Sequence, residues 1–195
     1  MNRLFRIPQL ESKKAKYQAR YGSNCGQGQR LSRHFDGCFR CAHCQAYVTA
    51  DALLSGVQNR NHCPYCLWSR HLDQFEAGDR QAACKASMQP IGLTLKQARK
   101  KYAWAQPGEL MIIHHCTGCG KLSINRIAAD DDVESILTAF EQSCRLEGQL
   151  ATALETGDVM ALSWDHRSAV NARLFGQSFS STAELEYEDA ALCCN

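Results

Sequence analysis

Apolar positions along this chain fall into three regimes. Up to about residue 34, "SKKAKYQARYGSNCGQGQRLSRH" and what precedes it show neither a period of two nor of 3.6, the pattern of a flexible arm or of one ordered only by a partner. From Phe35 to about Ala129 the apolar residues come in short pieces broken by Gly, Pro, Asn and Cys. "ELMIIHHC" and "KLSINRIAA" read there as two strands flanking a cysteine turn. After Ala129 the rhythm changes. In "DDDVESILTAFEQSCRL", Val133, Ile136, Leu137, Phe140 and Cys144 recur at helical spacing, and the acidic first turn complements the helix dipole. "DVMALSWDHRSAVNARLF" reads as a second helical stretch, and "STAELEYEDAALCCN" as a loose acidic end.

These regimes predict a small α+β protein: a basic arm at 1–34, a β-rich domain at 35–135, a helical extension at 136–176 and an acidic tail at 177–195. Of the 195 residues 45% are hydrophobic, but 12 of these are Cys and many others are Ala, which bury little area each, so the apolar core is expected to be modest. The longest aliphatic run, "LMII" at 110–113, is far too short to span a bilayer, and the charged N-terminus has no apolar stretch of the kind a secretory signal needs. The expectation is a cytoplasmic protein with no membrane partner. Structural disulfides are not expected in that reducing setting, so paired cysteines favour metal binding or redox chemistry.

The net charge of +2 conceals a polarity. Lys plus Arg against Asp plus Glu number 8 to 1 over residues 1–34, 11 to 6 over 35–129, and 3 to 13 over 130–195. A basic arm carrying Phe5, Tyr17 and Tyr21 suits a phosphate backbone, although such blocks also serve simply as solvated surface.

The cysteines carry the strongest chemistry. Cys41 and Cys44 form one CxxC and Cys63 and Cys66 a second, with 18 residues between the pairs. That spacing fits a four-cysteine zinc site, since two thiolates on a tight turn can face one ion and two such turns complete a tetrahedron. Buried thiols, an Fe–S cluster and a redox dithiol are the competing readings. Cys116 and Cys119 make a third CxxC, followed by a glycine that relieves the turn. Cys84 is the leading third donor for that site. For the fourth, His114 lies two residues before Cys116 and shares its face in a strand, whereas His115 points the other way. Cys38, three residues before Cys41, is an alternative ligand of lower rank. Two zinc ions are expected.

Together "FRCAHC", "RNHCPYCLWSRHLD", "GDRQAACKASMQPIGL" and "HHCTGCGKLSINRIAADDD" resemble the RNHCP domain, a bacterial family named after the motif at Arg60 to Pro64, over roughly residues 36–135. The resemblance implies a zinc-ribbon-like domain with no established biochemical activity. By motif it implies Cys41, Cys44, Cys63, Cys66, Cys84, Cys116 and Cys119 as the family cysteines, with His114 in the place of its histidine. Cys25, Cys38, Cys144, Cys193 and Cys194 fall outside the pattern, as do the basic arm and the acidic tail.

The functional expectation follows from what surrounds the cysteines. Arg60, Asn61, Arg70, His71, Arg80, Asn125 and Arg126 lie near them in sequence, and guanidinium and amide groups on a rigid scaffold suit phosphate and base contacts. Internal pairing competes: Asp73 in "HLD" and Asp79 in "GDR" can neutralise His71 and Arg80. The run "KQARKKYAW" places Lys96, Arg99, Lys100 and Lys101 beside Tyr102 and Trp104, cations next to stacking rings. The first reading is a zinc-organised, non-catalytic module for RNA or a ribonucleoprotein such as the ribosome. The second is a protein-interaction adaptor acting through the acidic helical tail. The third is a zinc-dependent hydrolase or nuclease, which needs an open coordination position and a base such as His71, His115 or Asp79.

Overall fold

The computed structural model describes residues 38–96 and 108–176. The basic arm, the acidic tail, and Arg99, Lys100, Lys101, Tyr102 and Trp104 lie outside these residues. The first compact unit runs to Leu162. It begins with a hairpin of β1 (Cys38–Arg40) and β2 (Tyr47–Thr49), paired antiparallel with Phe39 opposite Val48. A single helical turn, α1 (Ala52–Ser55), follows, with Asp51 accepting the Leu53 N–H at 2.9 Å.

A four-stranded antiparallel sheet then forms from β3 (Ser69–Arg70), β4 (Ser87–Lys96), β5 (Glu109–Cys116) and β6 (Leu122–Arg126), in that order across the sheet. The two strands read from the sequence are β5 and β6. Both faces of β4 and β5 are covered over most of their length, which is why their apolar residues run continuously instead of alternating. Pro90 sits at the register shift between Pro90 and Gly92, the kind of irregularity at which an interior strand tolerates a residue without an N–H.

The expected amphipathic helix is α2 (Val133–Cys144). Its N-cap is Asp132, whose carboxylate accepts the Ser135 N–H at 3.0 Å, and its buried face presents Ile136, Ala139 and Phe140. It packs on β4, where the Ser143 hydroxyl donates to the Leu93 carbonyl at 3.1 Å. Next comes α3 (Gly148–Thr156), which the hydropathy pattern does not suggest. It has no side-chain cap. It exists because Leu150 and Leu154 cover Ile91 and Ile113 of the sheet, so tertiary burial supplies what its local signals lack.

The second unit begins at Ser163. In it a 3₁₀ turn (Trp164–His166) leads into α4 (Arg167–Phe175), and the Ser163 N–H donates to His166 Nδ1 at 3.2 Å. The stretch read as a second helix is therefore helical only in its latter part, since 158–163 is irregular. Among the described residues no helix is long and apolar enough to cross a membrane.

Candidate metal centres

Three turns of one design position six of the cysteines. In the first, the Cys41 N–H donates to Ala46 O at 2.8 Å and the Gln45 N–H to Cys41 O at 3.0 Å. The second repeats this with Cys63 to Trp68 O at 2.9 Å and Leu67 to Cys63 O at 2.8 Å. The third repeats it with Cys116 to Lys121 O at 2.9 Å and Gly120 to Cys116 O at 3.0 Å. Each turn closes through a residue of positive φ directly after its second cysteine: Gln45 at 62°, Leu67 at 58° and Gly120 at 75°. Only the third uses the residue for which that conformation costs nothing. Leu67 compensates by burying its side chain completely. In the third turn Gly118 is also required, because a Cβ there would stand 2.8 Å from Ala86 Cβ and 3.2 Å from Cys84 Sγ.

The first two turns face one another. Cys41 and Cys66 sulfurs are 3.7 Å apart and those of Cys44 and Cys63 3.6 Å, and all four lie within 4.8 Å of one another. A zinc ion with bonds near 2.3 Å to four tetrahedral thiolates sets its sulfurs about 3.8 Å apart, so the donor set fits zinc. The separations are also far beyond a disulfide bond. Packed this closely, the four thiols displace one another's pKa values in opposite directions. Contacts from Cys44, then Cys63 and Cys66, hold the Cys41 thiol far below its ordinary range. Cys63 and Cys66 are pushed far up, each chiefly by Cys41. Cys44 settles at about 7, its contact with Cys41 raising it and those with Cys63 and Cys66 lowering it. Four thiols so close compete for charge, and a divalent cation removes the competition by replacing their protons.

The second cluster forms where the end of β3, the loop before β4 and the end of β5 converge. Its donors are His71, Cys84, Cys116 and Cys119, again within 4.8 Å of one another. Cys84 and Cys116 sulfurs are 3.6 Å apart, and His71 Nδ1 is 3.3 Å from Cys119 Sγ. The Cys116 thiol stands at about 6: burial raises it, but the backbone N–H groups of Cys119 and Gly118 outweigh that. Three thiolates and an imidazole are a structural zinc set, and with four donors in place the cluster keeps no position for water, which a zinc hydrolase requires. The two clusters can hold two zinc ions.

This corrects the expectation for the fourth donor, which is His71 and not His114. His114 is fully buried one pleat deeper in β5. Its Nε2 pairs with the Leu67 carbonyl at 2.7 Å, and its Nδ1 with the Asn125 amide at 2.8 Å. Sharing a strand face is not enough, because residues i and i+2 lie about 7 Å apart. His114 thereby ties the sheet to the positive-φ residue of the second turn, so it supports the first cluster from behind. Burial, only partly offset by the Leu67 carbonyl, lowers its pKa to about 4, keeping the ring neutral. Replacing His71 with Ala is expected to leave one zinc per chain by elemental analysis. His114→Ala is expected to keep both and to lower stability in urea by about 1–3 kcal/mol, since it strands the buried Leu67 carbonyl and the half-buried Asn125 amide. Equal zinc loss in both variants would contradict the assignment. Cys38, the alternative ligand, belongs to neither cluster.

The RNHCP motif is also read differently once its partners are seen. Arg60, expected to contact nucleic acid, has a fully enclosed side chain instead. Its Nη1 and Nη2 reach Asp130 at 2.7 Å and Asp131 at 3.1 Å, and its Nε donates to His62 O at 3.2 Å. Asp131 also holds His62 Nε2 at 2.8 Å and the Ala128 N–H at 2.7 Å. The Asp132 N–H donates to Pro64 O at 2.8 Å, and the Ser135 hydroxyl to Tyr65 O at 2.9 Å. The motif clamps the second cysteine turn to the start of α2. The acidic triplet signals a helix start, and nothing in its spacing marks Arg60 and His62, about 70 residues earlier, as partners.

The remaining candidates separate by location. Asn125 serves His114 inside the protein. Asp79 is spent on the backbone N–H groups of Gln81, Phe75 and Glu76, which hold its carboxyl below the usual range. Arg80 meets Asp73, not Asp79, and only at 3.8 Å. Arg126 is exposed and pairs with Glu109 at 3.2 Å. Arg70 is exposed and reaches only the Lys85 carbonyl, at 3.2 Å. Lys96 is exposed and Asn61 half-buried.

A family model described as the RNHCP domain matches residues 36–137. No curated protein matches the chain, and no solved structure does.

Proposed function

As this chain belongs to the RNHCP domain family, with both metal clusters inside the matched segment, we propose that it is a zinc-organised, non-catalytic module that binds single-stranded RNA, free or within a ribonucleoprotein. The observation that carries the reading is the closure of both clusters by four donors each. Closed zinc sites organise a fold without activating a substrate. Function then passes to the groups that the scaffold displays. They include the cations Arg70, Lys85, Lys96 and Arg126, exposed on the domain alongside the acidic Asp51, Glu76, Glu109 and Asp130, and the sequence adds the basic arm and "KQARKK". Zinc frameworks that present cations and rings commonly receive single strands.

The test is fluorescence anisotropy of a labelled single-stranded RNA with zinc-loaded full-length protein at several salt concentrations. Binding is expected to weaken as salt rises, with a log–log slope near −0.7 for each phosphate neutralised. Deleting residues 1–34 is expected to flatten the slope, and truncation after residue 176 to tighten binding by removing a competing polyanion. If the full chain and the arm deletion bind equally weakly at low salt, the RNA reading fails and a protein-interaction adaptor takes its place. Such an adaptor would act through the acidic helical tail.

A further inference from the structure

Between the first cysteine turn and β3 lies a cleft of about 330 Å³, at the lower end of the range of roughly 300–1,000 Å³ usual for small-molecule sites. Its lining combines three kinds of group. Arg40, Arg70 and Arg80 supply cations, Asn61 an amide, and His43 and Trp68 aromatic rings; among the described residues no Asp or Glu lines it. Arg60 lines it too, but its guanidinium is committed to Asp130 and Asp131.

The cations are incompletely satisfied. Arg40 Nε donates to the Gln45 carbonyl at 3.3 Å, and Arg70 reaches only the Lys85 carbonyl. Neither is paired with a carboxylate among the described residues. Arg80 Nη1 is buried and makes no hydrogen bond, with Asp73 Oδ1 at 3.8 Å, too far for one. A buried guanidinium nitrogen left in this state costs free energy until an acceptor reaches it.

The rings are already arranged. His43 and Trp68 stack with centroids 4.2 Å apart and planes 4° from parallel. Trp68 covers one face of His43, and His43 is an exposed residue, so its other face can take a further planar ring. Asn61 completes the set. Every other residue of the RNHCP motif is committed to the structure: Arg60 and His62 in the carboxylate clamp, Cys63 in the first cluster, Pro64 through its carbonyl to Asp132. The Asn61 side-chain amide forms no hydrogen bond among the described residues, although its backbone carbonyl accepts from Ser69. An amide presents both a donor and an acceptor, which is what reading a base edge requires.

We propose that this cleft binds a phosphorylated nucleoside, with its base stacked on His43 and read by Asn61 and its phosphate held by Arg40, Arg70 and Arg80. The inference deepens the RNA-binding reading and rests on it for the source of the ligand, since the same chemistry is offered by one nucleotide of a single strand and by a free mononucleotide. Cations alone would make an anion site, and rings alone a weak apolar surface. Their combination around one small cavity, with no carboxylate among the described residues of its wall, selects a group that is planar at one end and anionic at the other.

The experiment is a set of NMR titrations of the zinc-loaded full chain with adenosine, inorganic phosphate, adenosine monophosphate and a six-residue adenylate RNA. The signals followed are the side-chain N–H groups of Arg40, Arg70 and Arg80, the Asn61 amide and the Trp68 indole. The monophosphate is expected to shift all of these and to bind about tenfold more tightly than adenosine or phosphate. His43→Ala is expected to weaken the monophosphate about tenfold by removing the stacking face. Arg70→Gln is expected to weaken it by a similar factor through loss of a charge-assisted contact, and both variants are expected to retain two zinc ions. If the hexanucleotide shifts the cleft signals, the site takes a nucleotide within a strand. If the monophosphate shifts them while the hexanucleotide does not bind, the site stands with a free nucleotide as its ligand and the RNA reading falls. If the hexanucleotide binds while the cleft signals stay still, the cleft proposal is overturned and the RNA reading survives. Phosphate reproducing every monophosphate shift, with His43→Ala binding as tightly as the unaltered chain, overturns it as well by reducing the cleft to an anion site.

Discussion

Replacing Cys63 with Ser is expected to release the zinc of the first cluster and to unfold the domain around it. Cys63 is completely buried, and its sulfur sits 3.6 Å from that of Cys44. A serine hydroxyl stays protonated near neutral pH and is a poor partner for a soft-ligand zinc site. The loss is large because this part of the molecule has little else. Its apolar cluster consists of Cys41, Cys63, Ala46, Val48 and Tyr65, with Phe39, Cys44 and Cys66 against it, so the four ligands are half of the core they organise. The paired strands there are three residues each, and an isolated two-stranded ribbon is marginal in water. Structural zinc contributes on the order of 10 kcal/mol of apparent binding free energy to such domains. Elemental analysis and amide dispersion in an NMR spectrum measure the outcome. A well-dispersed spectrum of Cys63→Ser with two zinc ions bound would refute the first shell. Cys193→Ser and Cys194→Ser, outside the described residues, are the controls and are expected to change little.

Asp131→Ala is expected to cost about 3–5 kcal/mol, the range found when one member of a buried ion pair is removed and its partner is left uncompensated. Asp131 has a fully enclosed carboxylate that serves Arg60, His62 and the Ala128 N–H at once. Without it the enclosed Arg60 guanidinium keeps only the Asp130 pair and the His62 carbonyl. Asp130→Ala is the comparison. The Asp130 side chain is 28% exposed and meets Arg60 through one contact, so Arg60 would retain Asp131, and the cost is expected to be about 1–2 kcal/mol. Urea denaturation of the zinc-loaded proteins, followed by circular dichroism, separates the two. Equal losses would show that the clamp does not centre on Asp131.

The clamp also explains why two distant sequence features belong together. The acidic triplet at 130–132 has the look of a helix start, and Asp132 is one, but Asp130 and Asp131 are turned back onto the RNHCP motif. Arg60 reads as a surface cation for the same reason that most arginines do: a charged side chain is rarely enclosed unless its partners are supplied. Those partners lie about 70 residues away, beyond the reach of any local pattern.

The sequence by itself determined what depends on short spacing. The three CxxC turns are such features, because two thiolates three residues apart converge wherever the backbone makes the tight turn. The β5 and β6 strands and the α2 helix are others, since their apolar periodicity continues for a full element. Tertiary structure alone decided the fourth donor of the second cluster. His71, His114 and His115 are chemically equal in the sequence; β3 delivers His71 to the cysteines, while the Leu67 carbonyl and the Asn125 amide engage His114. Tertiary structure also decided α3, which forms by covering Ile91 and Ile113, and the grouping of Arg40, Asn61, Arg70 and Arg80 around one cleft. In each case the deciding interaction joins residues far apart in the chain, and its free energy comes from burial or pairing that exists only after the sheet has assembled.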